Sequence, residues 1–225
     1  MKVVQAGYQI LTPISEGGIK ELQHIEKIGR VCYKSEDKIT EDGESAKRFV
    51  KMLINNRHEA MLEHGCISVL FTVDRGITHE LVRHRVADFA QESTRYCNYS
   101  KGKFGNDITV IDIEPGIRIE AKKDEDVVKI LNEWYKACED AQRHYMNMLN
   151  YGASPQIARS VLPTSTKSDI TVTANYREWR HILNLRAVGT TGKPHPQMLE
   201  VMIPLLKELQ QKLPVMFDDI GKANL

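Results

Sequence analysis

Arg83-His84-Arg85, a gap of seven residues, and then Ser93-Thr94-Arg95-Tyr96 set three guanidinium groups and an imidazole on one short segment. Arginine stays charged at any accessible pH and offers a planar fork of donors matched to phosphate or carboxylate, so such a cluster calls for an anion. A solvated basic helix face is the plainer alternative. Against it, Ile77, Leu81 and Val82 give the preceding stretch an apolar side that packs, while Glu80 falls on a neighbouring face. Arg159 stands among apolar neighbours in Ala158-Arg159-Ser160-Val161-Leu162-Pro163, where a stem covering the core and an anion contact are equally open. Asn175-Tyr176-Arg177 closes an expected strand and Glu178-Trp179-Arg180-His181 opens a helix, so Arg177 and His181 take the i, i+4 spacing of a shared face. Taken singly, Arg186 reads as a cation favoured at a helix C-terminus.

His58-Glu59-Ala60-Met61-Leu62-Glu63-His64 tempts a metal reading. The zinc-protease pattern His-Glu-x-x-His needs its histidines one helical turn apart, and the inverted pattern would need histidine at Met61. A helix end whose polar residues line a cleft fits better, and no metal is expected. Cys32, Cys66, Cys97 and Cys138 form no closely spaced pair, which argues against a zinc ribbon or a thioredoxin-like site. Only Cys97 lies near the arginines, and it has no histidine or aspartate in an activating position, so catalysis is expected to need no cysteine.

Composition limits the partners. With 225 residues, 41% of them hydrophobic and 27% charged, the chain can bury a sizeable core, and nothing marks a sharp boundary within a single domain over 1–225. A net charge of +1, from 31 basic and 30 acidic side chains, gives no broad positive field for nucleic acid, so small anions are the expected ligands. No apolar run approaches the roughly 20 residues that span a bilayer. The opening Met1-Lys2-Val3-Val4-Gln5 lacks a signal-peptide pattern, and a cytoplasmic protein is expected.

Elements that position these residues follow from periodicity. Strands are expected over Lys2 to Ala6, Cys66 to Val73, Ile108 to Ile113 and Asp169 to Tyr176. Helices are expected over Ser15 to Cys32, with Gly17-Gly18 near the start, over Glu44 to Asn56, and over Ile77 to Ala87, which carries the arginines. A long helix marked by Val127, Ile130, Trp134, Tyr145 and Met148 ends at Gly152, and Ser154-Pro155 caps a short helix reaching Arg159. Glu178 to Ala187 and Pro196 to Leu213 complete the set, the last with a kink at Pro204. Strands and long helices mix without βαβ repetition, so the expected class is α+β, with an antiparallel or mixed sheet flanked by long helices and a helical lobe.

Taken together, Arg83-His84-Arg85, seven residues, Ser93-Thr94-Arg95-Tyr96, then Arg159, Asn175-Tyr176-Arg177-Glu178-Trp179 and Leu185-Arg186 resemble the flavin-dependent thymidylate synthase family. The resemblance runs from His58 to Arg186. It implies reductive methylation of dUMP to dTMP, with methylenetetrahydrofolate as one-carbon donor and FAD, reduced by NADPH, as hydride source. His58, Ala60, Arg83, His84, Arg85, Gln91, Asn175, Tyr176, Arg177 and His181 are then the implied FAD contacts. Glu80, Leu81, Val82 and Arg83, the stretch Gln91-Glu92-Ser93-Thr94-Arg95, Arg159 and Arg186 are the implied dUMP contacts, and Arg186 is the residue that activates the uracil ring. The resemblance also implies a homotetramer with shared sites. Asp88, Ala90, Gln91 and Ala60 depart from residues common in that family.

Two other classes follow from the residues alone. A metal-dependent hydrolase would use His58, Glu63, His64 and His84, and a nucleotide- or RNA-binding module would use the arginines only for phosphate.

Overall fold

The computed structural model describes residues 1–102, 105–121 and 123–222. Two compact units emerge, the first from Met1–Tyr8, Leu70–Arg83 and Phe89–Thr171, the second from Gln9–Val69, His84–Asp88 and Val172–Leu225. One of the points at which the chain passes from one unit to the other falls between Arg83 and His84.

The strands are β1 (Lys2–Val4), β2 (Gly7–Ile10), β3 (Cys66–Asp74), β4 (Ala87–Gln91), β5 (Thr109–Ile111) and β6 (Lys167–Asn175). A four-stranded sheet has the order β2-β3-β6-β4. β1 pairs separately and in parallel with β5, Val3 opposite Val110. The α+β expectation therefore holds. Alternate residues of β3 and β6 are buried, as expected of strands with one face on a core. The strand expected over Lys2 to Ala6 stops at Val4, and the Gln5 side-chain amide turns to donate 2.8 Å to Asp112.

The helices are α1 (Ile19–Tyr33), α2 (Glu44–Asn55), α3 (Arg75–Leu81), α4 (Glu114–Glu120), α5 (Asp124–Asn150), α6 (Pro155–Ala158), α7 (Tyr176–Leu183), α8 (Pro196–Lys212) and α9 (Pro214–Phe217). In the second unit Leu22 and Ile25 of α1 pack toward Phe49, Val50 and Leu53 of α2. Each such side chain, fully buried, contributes about 1.5–3 kcal/mol. α8 buries Met198, Val201, Met202, Leu205 and Leu209 and runs on through Pro204, which lies on its exposed side. The first unit has its own core, in which Tyr99, Ile108, Val110, Cys138 and Tyr145 are packed by Val3, Trp134 and Leu149.

One expected helix is wrong in a way that matters. α3 starts at Arg75, because the Asp74 carboxylate caps it by accepting from the Ile77 N–H at 2.7 Å, and it ends at Leu81. Continuing it would put His84 and Arg85 on the stripe begun by Ile77 and Leu81, where apolar residues are needed. Arg83, His84 and Arg85 therefore follow the helix as non-helical chain, and Ala87 to Gln91 forms the edge strand β4 beside β6. Smaller corrections concern ends. β6 stops at Asn175, Tyr176 already begins α7, and the Ser154 side chain makes no cap bond; its carbonyl accepts from Ile157 and Ala158 instead.

Candidate functional site

In the second unit the junction of β6 and α7 is built by two local devices. The Asn175 side chain caps α7 by accepting from the Glu178 N–H at 2.8 Å, and the Tyr176 N–H donates 3.0 Å to the Gly65 carbonyl. Gly65 must lack a side chain, since a Cβ there would lie 2.2 Å from the Tyr176 ring. Tyr176 and Trp179 are buried, and the Trp179 indole donates 2.9 Å to Ile67. The opposite face of α7 is polar. Together with the short 3₁₀ helix Glu59–His64 it lines a cleft of about 490 Å³, bounded by Glu59, Glu63, Val86, Asn175, Arg177, Glu178, Arg180, His181 and Asn184.

Beyond α7 the chain widens into a π-helical turn, Asn184–Val188, which carries Arg186. The Asn184 carbonyl accepts from the N–H groups of Gly189 and Thr190, at 3.0 and 3.1 Å, and the Asn184 amide donates 2.9 Å to Arg180. Gly189 closes the turn at φ +79°, a left-handed conformation that glycine takes without strain. Such bulges often mark functional sites. Arg186 stands in the last turn of that segment, as the helix-end reading expected, and its Nε also donates 3.1 Å to His84 Nε2.

His84 is only 5% exposed, whereas Arg83 and Arg85 on either side are exposed. Burial, followed by the charges of Arg186 and His181, lowers its pKa to about 4, so the ring is neutral near pH 7. Glu178 Oε1 lies 3.5 Å from its Nδ1. Burial raises the Glu178 carboxyl above its ordinary value, against the opposing pull of His181 and Arg177. Arg177 ion-pairs with Glu63 at 2.5 Å, and Arg180 forms a two-pronged pair with Asp219 at 2.7 and 2.6 Å. His58 and Ala60 are exposed at the start of the 3₁₀ helix and do not line the cleft.

The depressed His84 pKa has a testable sign. As pH falls from its ordinary 6.5 toward about 4, the unfolded ring takes a proton that the folded ring refuses. Flavin-free protein should lose stability across that window, and His84→Gln should lose less. Urea unfolding at pH 7, 6 and 5 checks this; an equal loss in both proteins would contradict it.

The remaining anion-cluster residues belong to the first unit. Arg159 Nη1 donates 3.1 Å to the buried Thr94 hydroxyl, and Arg95 lies over the Tyr96 ring at 5.4 Å. Ser93 turns the chain, its carbonyl accepting from Tyr96 and Cys97. Gln91 and Glu92 face inward: the Gln91 amide donates to Thr78 and Ser168 at 2.9 and 3.1 Å, and the Glu92 carboxylate accepts from Lys167 at 3.1 Å. Glu80 and the buried Leu81 lie at the end of α3, with Val82 exposed after it. A cavity of about 420 Å³ in this unit is lined by Glu92, Lys167, Asp169, Cys97 and Tyr99 among others.

Of His58, Glu63, His64 and His84, the set for a metal hydrolase, only His84 falls in a trio that could hold an ion among the described residues, and its companions are Glu178 and His181. Arg186 donates to the His84 Nε2 lone pair, so the proton falls on Nδ1, the nitrogen facing Glu178, and the Arg186 charge beside the trio further disfavours a bound cation.

Sequence reasoning gave no ligand-binding role to Glu59, Glu178, Arg180 and Asn184, which line the cleft. The spacing Asn175-x-x-Glu178 is that of an N-cap and its third helical residue, a local signal that could have singled out Glu178. The partner of Arg180 lies 39 residues away, and no local pattern points to it.

The second unit sets a buried, neutral His84 beside the Arg186 guanidinium, with Arg85 and Arg177 exposed, a set of donors suited to small anions. The family described as thymidylate synthase complementing protein matches residues 19–215, and the chain belongs to that family. It is 31% identical to the flavin-dependent thymidylate synthase of Corynebacterium aurimucosum over 94% of this chain and 85% of that protein. Its likeness to the enzyme of the same name from Corynebacterium glutamicum is 32% over 89% of this chain and 80% of that one. A solved UMP/dUMP methylase, PolB of Streptomyces cacaoi bound with 5-Br dUMP, shares the fold, with a TM-score of 0.78, 24% identity, and coverage of 97% and 96%.

Proposed function

We propose that this enzyme methylates dUMP reductively to dTMP, taking its carbon from methylenetetrahydrofolate and releasing tetrahydrofolate. The observation that carries the proposal is likeness to flavin-dependent thymidylate synthases over nearly the whole chain. A flavin, FAD in this reading, supplies the hydride after reduction by NADPH. The residues fit that group. Exposed Arg85, Arg177 and His181 offer donors to a pyrophosphate, and Arg177 can exchange Glu63 for it. Asn175, His58 and Ala60 contribute at the cleft and its approach. Tyr176 is buried, and its part is to fix the wall.

The dUMP phosphate falls to Ser93, Thr94, Arg95, Arg83 and Arg159. Gln91 and Glu92 have their side chains committed inside the protein, so their contacts run through the backbone. Arg186 holds the negative charge that develops on the N3/O2 side of uracil as C5 becomes nucleophilic. The chain acts as one domain in a cytoplasmic homotetramer with shared sites.

The purified protein should be yellow and release FAD when denatured. Failure to bind flavin after reconstitution with excess FAD would sink the proposal.

A further inference from the structure

His84 has two ring nitrogens and two different neighbours, and their order decides what each does. A neutral imidazole carries one N–H and one bare lone pair. Arg186 donates to Nε2 at 3.1 Å, so the proton belongs on Nδ1, and Nδ1 is the nitrogen that faces Glu178 Oε1 at 3.5 Å.

Glu178 is free for this task. It is the third residue of α7, where a glutamate commonly reaches back to the N–H of the capping residue. Here the Asn175 side chain already caps the Glu178 N–H, and the Glu178 side chain, 12% exposed, points to His84. The other ring beside His84 is His181, edge-on at 6.0 Å. The charged or titratable groups around the imidazole are thus Glu178, Arg186 and His181, and Glu178 is the carboxylate among them, its Oε1 facing Nδ1.

We propose that Glu178 is a positioning residue: through His84 it keeps the imidazole proton on Nδ1 and leaves Nε2 to hold the Arg186 guanidinium. With the proton on Nε2 instead, the ring and Arg186 Nε would meet donor to donor, and that contact would be lost. The π-helical turn closed by Gly189 sets the backbone of Arg186, and His84 holds its Nε. The effect on chemistry rests on the role proposed for Arg186; the tautomer does not.

Two measurements keep these apart. In flavin-free protein at pH 7, the ¹⁵N shifts of His84 should report a neutral ring with the proton on Nδ1. Glu178→Ala should move the proton to Nε2 and lower kcat about 10-fold or more at unchanged flavin content, as other lost tautomer-setting contacts do. Glu178→Gln keeps a carbonyl acceptor and should stay within about 3-fold of the parent protein. An Nε2 proton or a charged ring in the parent protein overturns the proposal, whether or not the Ala variant folds, as does an Ala variant with unchanged tautomer. A shifted tautomer with normal kcat would leave the placement of the proton standing and remove Arg186 from the chemistry.

Discussion

Arg186→Lys is expected to slow conversion of dUMP to dTMP by about 10²-fold or more, with folding and flavin content close to those of the parent protein. Lysine keeps the charge but loses the planar fork, and it has no Nε–H to rest on His84 at the observed 3.1 Å. Arg186→Ala should in addition weaken dUMP binding. If Arg186 served only as a charge near a helix end, both variants would lose about 1 kcal/mol of stability and turn over almost normally. Steady-state kinetics beside thermal unfolding separates the two outcomes.

Asp219→Ala should cost about 2 kcal/mol of stability. Arg180 is a buried guanidinium on the cleft-lining helix, its side chain 8% exposed. Burial works against its charge, but the hydrogen bonds and charge of Asp219, then Glu59, hold its pKa above the ordinary value. Without Asp219 it keeps Glu59 at 3.6 Å and the Met216 carbonyl. The loss stays below that of a fully buried pair because Asp219 is 53% exposed and water can replace part of it. Since Arg180 and Glu59 both line the cleft, flavin affinity should fall together with stability. Urea unfolding and fluorescence titration with FAD measure the two effects, and a stability change below about 0.5 kcal/mol would show that Arg180 is satisfied without its partner.

Periodicity revealed most of the elements because their faces are uniform. α2 and the long α5 match expectation closely, and β3 and β6 alternate as half-buried strands do. The arginine triplet was misplaced for a physical reason. Helix propensity favours continuing α3, but the apolar stripe ends at Leu81, and β4 gains a neighbour in β6 that no local rule can foresee. The same distinction runs through the site. Residue types and spacing pointed to an anion cluster at Arg83, Arg85 and Arg95, and the family resemblance added Arg159, Arg177 and Arg186. They could not show that His84 is buried and neutral between Glu178 and Arg186, or that Gln91 and Glu92 turn inward. Those facts come mainly from contacts 75 to 102 residues apart.

The most direct test of the account is dTMP formation by the purified protein given dUMP, methylenetetrahydrofolate and NADPH, before and after removal of its flavin. Product should form, stop when the flavin is stripped, and return on addition of FAD. Turnover that persists without flavin, or no dTMP from flavin-loaded protein with all three substrates present, would contradict it.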